Sequence, residues 1–355
     1  MAEAAVARAE ASDSVGAELD SMIGLVFDAS GKLAEARVHH ERALAVRERT
    51  LGKDHLAVAQ VLDNLGAIPL QQERYQEAEQ IYTRALAIRR AALGDNHSHV
   101  AASWTALGSA QRGRRAFDAA KQSYEHALAI WTRALGDAHP SVAAALNNLG
   151  VLERDMQRTA DAEQHLAAAI AIWRRDEAAN ANELASAIGN LGLIAYDRGD
   201  LALATTRIAE SIRVVESTLG KDHPRVATKL ANLARIHLER NAPAEAEPLF
   251  ARALAITEAA TGANDRALAG PLLGVAQSRL ALGDAAGATA HLERIRALEG
   301  DVDPHDRAVA AFTLAKLVWD AGKDRARARA LAEEAKADPA IAAAVTGWLA
   351  QHRSP

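Results

Sequence analysis

The sequence predicts an all-α protein built as an array of stacked helix pairs, because three landmarks recur along it with one period. Self-similarity at a fixed period of roughly 20 to 50 residues is typical of repeat architectures. The glycine of a Leu-Gly step recurs at gaps of 42 residues or twice 42, at Gly52, Gly94, Gly136, Gly220 and Gly262. An Asn-Leu-Gly triplet and an Ala-Leu step keep the same register, the triplet beginning at Asn64, Asn148 and Asn190 and the step at Ala43, Ala85, Ala127 and Ala253.

The composition favours helix almost throughout the chain. Aromatic residues make up 4% of the 355 residues, and there are 22 glycines and 9 prolines. Alanine is abundant and alternating β-branched runs are missing, which favours helices over strands. A chain of this length usually forms two or more globular domains, but stacked repeats share one continuous core. We therefore expect one solenoid over residues 13–338.

The register places the helices in order. Residues 1–12 are rich in Ala and Glu and have no landmark, so we expect a frayed N-terminal segment there. Each unit then has a helix A with the Asn-Leu-Gly triplet, a polar turn, and a helix B with the Ala-Leu step. The predicted helices of the first and last pairs are 13–29, 33–49, 305–320 and 324–337. Residues 339–355 form a capping helix and tail, which makes about eight pairs and one cap.

The loops between units carry residues that end one helix and start the next. In the central unit, Gly136 can take the positive φ of a helix C-terminus. Asp137 supplies an oxygen near the next helix start, and Pro140 suits a first turn, where no amide donor is needed. Apolar residues at i, i+4 and i+7 from Val142 predict the buried face. Residues 174–184 contain neither Leu-Gly nor His-Pro, so we expect that junction to have its own shape.

The composition and motifs argue against several classes of function. There is no cysteine, so there is no disulfide and no thiolate site. No apolar run approaches the roughly 18 residues of a membrane span, and the first residues lack the apolar core of a secretion signal, so we expect a cytoplasmic protein without a membrane partner. The formal charge of −5 argues against nucleic acid. No phosphate-loop, HExxH or GxSxG motif is present, which predicts no enzyme activity and no cofactor.

The repeat resembles the tetratricopeptide repeat in its 42-residue kinesin-light-chain form. The resemblance rests on the LGxDHP loop, the LNNLG helix at 146–150, the Ala-Glu turn at 162–163 and the RALAI helix at 84–88. It covers about 14 to 340. It implies a right-handed superhelical solenoid of antiparallel helix pairs, a non-catalytic scaffold that binds a peptide or protein segment in its concave groove.

A narrower resemblance concerns the whole array. Repeats of this kind that end in a short helix such as AVTGWLAQHR (Ala344 to Arg353) resemble the C-terminal regions of large bacterial serine/threonine protein kinases of the myxobacterial type. This implies a regulatory region whose catalytic domain is not in this chain. The chain itself has no glycine-rich phosphate loop, no HRD-x4-N and no DFG. A self-associating structural solenoid is the third hypothesis.

The tetratricopeptide resemblance implies which residues line the groove. The Asn of each triplet would offer two donors and an acceptor to the backbone of an extended peptide. These ladder positions are Asn64, Asn148, Asn190 and Asn232, with interruptions at Ala106 and Gly274. Alternatively, each Asn ties a neighbouring helix in place. The other residues expected on the groove are Gln60, Asp63, Arg112, Asn147, Arg154, Asp155, Tyr196, Asp197, Arg235 and Glu239.

The charges expected on the groove have mixed signs. Arg112 and Arg154 could grip a ligand carboxylate, whereas acidic side chains such as Asp155 favour a basic segment. Plain solvation of the groove is the alternative. The mixture leaves the charge preference of a ligand open.

Two further sets of residues recur in register. One loop position carries His55, His97, His139 and His223. Successive repeats hold these rings too far apart to share an ion, so we predict no metal site and a loop-capping role. Trp131 and Trp173 occupy one position in consecutive helices B. They could form a partner-binding strip on the outer face, or be buried against the next loop.

Overall fold

The computed structural model describes residues 2–322 and 324–352, and within these ranges the side chains from residue 13 onward. Every regular element in this part of the chain is helical and none is a strand, which confirms the predicted all-α class. The α-helices, numbered α1 to α17, are Ala2–Ala29, Leu33–Leu51, Leu56–Gln71, Tyr75–Leu93, Ser98–Gly113, Phe117–Leu135, Pro140–Asp155, Thr159–Trp173, Ala181–Asp197, Leu201–Leu219, Pro224–Glu239, Pro243–Thr261, Ala269–Ala281, Ala285–Arg296, Pro304–Asp320, Arg325–Ala335 and Ala342–Gln351.

The described helices form eight consecutive pairs, α1/α2 to α15/α16, followed by α17, as the register predicted. In each pair the odd-numbered helix is helix A and the even-numbered one is helix B. The first helix is longer than predicted: it begins at Ala2 rather than near residue 13. Alanine and glutamate both have high helix propensity, which favours continuing the helix through this segment.

Packing contacts divide the chain into two units, one ending at Arg175 and the other starting at Asp176. The first unit contains α1 to α8, and its core includes Val58, Tyr82 and Leu149. The second unit contains α9 to α17, and its core includes Ile208 and Leu272. Consecutive helices pack against each other within each unit, which is the nearest-neighbour arrangement of a repeat array.

Small residues let the two helices of a pair approach closely. The first turn of helix B holds a fully buried alanine in all eight described pairs, at Ala36, Ala78, Ala120, Ala162, Ala204, Ala246, Ala288 and Ala328. The glycine of the triplet faces a large side chain of helix B. A Cβ at Gly108 would lie 2.7 Å from the ring of Tyr124, and one at Gly150 would lie 2.7 Å from Leu166. The Gly-Leu and Gly-aromatic contacts therefore set the distance between the paired helices.

The loops confirm the predicted glycine after a helix and show which residue caps the next helix. Gly136 has a φ of 84° after α6, as expected at a helix C-terminus. The next helix is capped by His139, whose Nδ1 accepts the backbone N–H of Ser141 at 3.1 Å. Asp137, which was expected to supply an oxygen near this helix start, is not the capping residue, because His139 immediately precedes the first helical residue. Capping is thus the role of the recurring histidines, and His55, His97 and His223 make the same bond at 3.1, 3.2 and 3.2 Å.

The second unit departs from the repeat pattern at both of its ends. The junction after α8 has a short 3-10 helix, Arg174–Asp176, in place of the glycine turn, and Asn180 precedes α9 without a side-chain cap. At the other end, α17 packs on α15 and α16. Trp348 lies 5.6 Å from the ring of Trp319 and stacks on His352 at 4.3 Å. These contacts bury Val345 and provide the cover that an end helix gives a solenoid.

Candidate functional site

The asparagines of the predicted ladder are half-buried side chains on helices A. This holds for Asn64, Asn147, Asn148, Asn190 and Asn232. Asn232 Oδ1 receives a long contact of 3.4 Å from Arg235 Nη2. Asn147 and Asn190 also interact within the chain. Each amide is accessible in part, which is compatible with both the peptide-binding and the helix-tying hypotheses.

Several of the predicted groove charges are paired from one helix A to the next. Arg112 Nε on α5 donates to Asp155 Oδ2 on α7 at 2.6 Å. In the second unit Tyr196 on α9 donates its hydroxyl proton to Glu239 on α11, and Arg235 lies 5.5 Å from the Tyr196 ring. A ligand carboxylate at Arg112 would therefore have to compete with Asp155. Arg154 and Asp197 also interact within the chain.

Asp63 takes part in a largely buried polar cluster. Arg89 on α4 donates through Nη1 to Asp63 Oδ1 at 3.0 Å and to Ser103 Oγ at 2.6 Å. Arg89 is only 8% exposed, and a cation at that depth requires a partner. The predicted groove residue Asp63 provides that partner. Its carboxylate therefore links α3 to α4, and through Arg89 to α5.

The positions of Asp63, Arg89 and Ser103 recur three repeats later, where they hold different residues. Gly189 on α9 replaces the aspartate, Val215 on α10 replaces the arginine, and Lys229 on α11 replaces the serine. These three positions in the second unit thus hold a cation and no carboxylate. In four other repeats the position of Lys229 holds smaller, fully buried residues, at Val61, Ser103, Ala145 and Ala187.

A cleft lies beside Lys229 in the second unit. Its volume is about 300 Å³, and it lies against α9, α10 and α11. The predicted ladder residues Asn190 and Asn232 both line it. The remaining lining residues are Ser186, Gly189, Leu193, Ile208, Arg225, Thr228 and Lys229. The cleft thus brings two ladder amides and two cations together with an apolar floor, which is the composition of a binding site for a polar group.

Lys229 is the half-buried cation of this cleft. Its Nζ donates to the carbonyl oxygen of Ala185 at 3.2 Å, and the same carbonyl accepts the hydroxyl proton of Ser211. Among residues 13–322 and 324–352, no carboxylate lies within 4 Å of this amine. Burial, with a smaller contribution from Arg225, lowers the pKa of Lys229 to about 8. Gly189 leaves space for the amine, because a Cβ there would lie 3.3 Å from Nζ.

Lys229→Met is expected to stabilise the protein at pH 7 and to lose this advantage at higher pH. The pKa of Lys229 is lowered from 10.5 to about 8 in the folded protein, so between these values the unfolded chain binds more protons than the folded one. The unfolding free energy of the wild type therefore rises relative to the variant as pH increases from 8 to above 10. Urea midpoints at pH 7, 9 and 10.5 measure the difference.

The matched control for this titration is Lys53→Met, at an exposed lysine. It removes the same chemical group from a position where the ammonium stays in water. Its difference from the wild type should not change over the same pH range. A constant difference for Lys229→Met would contradict the burial of its charge.

Burial decides between the two alternatives for the recurring tryptophans. Trp131 and Trp173 are 9% and 2% exposed, so the outer-strip hypothesis is wrong and both rings belong to the core. The described residues contain no cluster of three or more His, Asp or Glu side chains that could hold a metal ion. None of the helices in the described ranges has the length and apolarity needed to cross a bilayer.

The sequence hypotheses did not single out Lys229, Gly189 or Ser211. A signal for Lys229 and Ser211 was available in the register, because each departs from the residue type at most equivalent positions. Ser211 stands where five equivalent residues are alanine, at Ala43, Ala85, Ala127, Ala169 and Ala253. Departures that lie close to one another mark a local site better than any recurring landmark, since landmarks report the fold.

Comparisons with known proteins agree with this architecture. The tetratricopeptide repeat family model matches residues 17–91, 68–129, 99–175 and 183–259, together more than half of the chain. A comparison with curated protein sequences finds no match. Nothing in these comparisons supports the resemblance to kinase-associated repeat regions.

Solved structures of low sequence identity share the fold. BtubC (BKLC) from P. vanneervenii is 19% identical, with a TM-score of 0.51, 73% of this chain covered and 93% of that one. RapI in its apo form is 13% identical, with a TM-score of 0.64 and coverages of 92% and 86%. Yeast Tom70 is 16% identical, with a TM-score of 0.60 and coverages of 95% and 64%. From the family match and the eight helix pairs, the chain belongs to the tetratricopeptide repeat family.

Proposed function

We propose that the chain is a scaffold that binds an extended peptide segment of a partner protein along its helices A, and that the cleft beside Asn190 and Asn232 is the centre of that surface. Tetratricopeptide repeats generally mediate protein–protein interaction. The observation that carries the proposal is the cleft itself, where side-chain amides of two successive repeats line one space of about 300 Å³.

Two amides at neighbouring repeats suit an extended peptide. Each primary amide has two donors and one acceptor, so it can bond to both the C=O and the N–H of a peptide unit. The helix scaffold holds these groups before the ligand arrives, so little conformational entropy of the protein is lost on binding. The half-buried Leu193 and buried Ile208 on the floor add apolar contact for a side chain.

Replacing Asn190 and Asn232 together by alanine is expected to weaken peptide binding at least tenfold. The reason is the loss of two amide groups that bond the ligand backbone, each worth about 1 kcal/mol or somewhat more in a partly dry site. The probe is a fluorescent dodecapeptide selected by the wild-type protein from a random displayed library. Fluorescence anisotropy gives its dissociation constant, and far-UV circular dichroism checks that helicity is unchanged.

The control variant is Gln164→Ala, which removes an exposed amide from the helix B α8. It should change the affinity less than twofold. Equal affinity of the wild type and the double variant for the selected peptide would refute the role of these asparagines. A library that yields no binding peptide would refute peptide binding as the function.

A further inference from the structure

We propose that two copies of the chain associate through α1, with the two α1 helices antiparallel across a two-fold axis. The contact surface on each copy is the α1 seam, the exposed row of Val15, Leu19, Met22 and Val26. The seam belongs to the first unit, whereas the proposed peptide cleft belongs to the second. Association of the chain with itself is therefore independent of the proposed peptide binding.

Exposed apolar side chains are concentrated on α1. Among residues 13–322 and 324–352, ten large apolar side chains are exposed, and five of them lie between Val15 and Val26. The fifth member is Leu25, which lies beside the seam. Single exposed apolar residues are normal on a protein surface, but a contiguous apolar patch marks a surface that binds another molecule. The first step of the argument is thus that the α1 seam is covered by something.

The repeat register shows what covers the equivalent positions elsewhere in the chain. Leu19 is equivalent to Val61, which is fully buried in a cluster shared with α2. Val26 is equivalent to Leu152, which is buried in a cluster with Tyr124 of α6. In both cases the cover is the helix B of the preceding repeat. No helix B precedes α1 in the described structure, and there Leu19 is 56% and Val26 65% exposed. The seam is therefore shaped to pack against a helix.

The spacing of the seam fits a second α1 helix. Val15, Leu19, Met22 and Val26 are separated by four, three and four residues, which is the alternation of an apolar coiled-coil seam. These gaps read the same in both directions along the helix. In an antiparallel pair, Val15 of one copy therefore lies opposite Val26 of the other, and Leu19 lies opposite Met22. A two-fold contact needs a surface that is complementary to itself in this way.

Two unpaired charges beside the seam agree with the same arrangement. In the second repeat, Arg84 on helix B reaches back to the preceding helix B, where its Nη2 lies 2.5 Å from Glu48 Oε1. Arg42 on α2 is the equivalent arginine. Both Arg42 and Glu18 on α1 are exposed, and neither has an ion-pair partner among the side chains that the structure describes.

The antiparallel pair gives these two charges partners. The contact of His39 with Asp20, at 2.8 Å, places this part of α2 beside the middle of the seam. Glu18 also lies near the middle of the seam. Across the two-fold axis, Glu18 of one copy therefore comes to the side of Arg42 of the other, and two ion pairs flank the apolar contact. Opposite charges placed in this way fix the register of an interface.

The other end of the array does not offer a surface for the seam. There α17 packs on α16, and among residues 283–322 and 324–352 no large apolar side chain is exposed. Stacking of α1 on the last helix B of another copy would need an open apolar surface at that end, and it would continue into a filament. A contact of seam with seam closes after two copies.

Sedimentation velocity of the full chain over a concentration series measures the association. At 1.5 Å per residue the seam is roughly 17 Å long, which is small for a specific interface and predicts a dissociation constant on the order of 10 µM. The weight-average mass should rise from one copy to two with concentration and then stay constant. The variant Leu19→Glu/Val26→Glu should weaken the dimer at least about twentyfold, because four carboxylates would be buried without partners.

The matched control is Leu203→Glu/Leu282→Glu, which adds the same charges at two exposed leucines of the second unit. It should form dimers with the affinity of the wild type. Far-UV circular dichroism of both double variants at low concentration should equal that of the wild type, since all four leucine and valine side chains are exposed in the monomer.

Charge reversal tests whether the occupant of the seam is a second copy. Glu18→Lys and Arg42→Glu each create two like-charge pairs in a dimer, and each should weaken self-association about fivefold or more. A one-to-one mixture of the two variants should associate with nearly the affinity of the wild type, because both flanking pairs then have opposite charges. Fluorescence-detected sedimentation with one variant labelled measures the mixed dimer.

Each contrary result overturns a stated part of the proposal. A wild type that stays monomeric over the whole series would overturn self-association. A dimer that Leu19→Glu/Val26→Glu does not weaken would place the contact elsewhere than the α1 seam. Growth beyond two copies would contradict a closed two-fold contact. Weak association of both charge variants with no recovery on mixing would refute the pairing of Glu18 with Arg42. None of these results bears on peptide binding by the second unit.

Discussion

Replacing Trp173 by alanine is expected to lower the free energy of unfolding by about 3–5 kcal/mol, the largest effect expected of any single change proposed for this chain. Trp173 is 2% exposed and lies at the end of α8. Removing an indole from a packed interior forfeits its transfer free energy and leaves a cavity that the helices cannot fully close. Urea unfolding followed by circular dichroism measures the loss.

Trp104→Ala is the matched control for this prediction. Trp104 is half-buried on α5, where its ring lies 4.7 Å from that of His126 and 5.9 Å from the guanidinium of Arg90. It should cost less, about 1–2 kcal/mol, because solvent already reaches one side of the ring. Equal losses for the two tryptophans would contradict the burial of Trp173.

Gly108→Ala is expected to destabilise the protein by about 1–3 kcal/mol, although alanine has the higher helix propensity. The added Cβ would lie 2.7 Å from the Tyr124 ring. Tyr124 is itself 1% exposed and its hydroxyl contacts Ser109 at 3.2 Å, so the ring cannot move aside cheaply. The expected loss of stability comes from the clash between α5 and α6, and the backbone of α5 does not contribute to it.

Gly16→Ala provides the opposite case. Gly16 lies in α1 and a Cβ there has no neighbour within 4 Å. The same substitution should stabilise by about 0.5–1 kcal/mol, since alanine reduces the freedom of the unfolded chain and nothing is crowded. Urea midpoints of both variants test the pair. A gain in stability for Gly108→Ala would refute the close approach of α5 and α6.

The fold could be predicted in detail because every repeat packs two equivalent helices in the same way. The spacing of Gly136 and Asn148 from their equivalents fixes the helix boundaries, and the eight pairs follow from counting. The recurrence of His139 and its equivalents predicted their capping role, whereas the general preference for Asp favoured Asp137, two residues earlier. Which one precedes the first helical turn depends on where that turn begins, and propensities determine helix ends poorly.

The candidate site was only partly visible in the sequence. Asn190 and Asn232 were found because they recur, and the structure places both in one cleft. Lys229 was missed because a lysine on an amphipathic helix normally indicates a solvated face, and its burial depends on Gly189 of the preceding repeat. The pairing of Arg112 with Asp155 was missed for a similar reason, since side chains 43 residues apart become neighbours only when repeats stack.

The equivalence of Asp63, Arg89 and Ser103 to Gly189, Val215 and Lys229 also bears on how such arrays diversify. A repeat array can keep every helix while one repeat pairs a cation with a carboxylate of its own chain and another holds a lysine that, among the described residues, has no carboxylate within 4 Å. An aspartate at Gly189 would place a carboxylate beside Lys229, as Asp63 lies beside Arg89. The polar chemistry of the interior can therefore differ from repeat to repeat within one unchanged architecture.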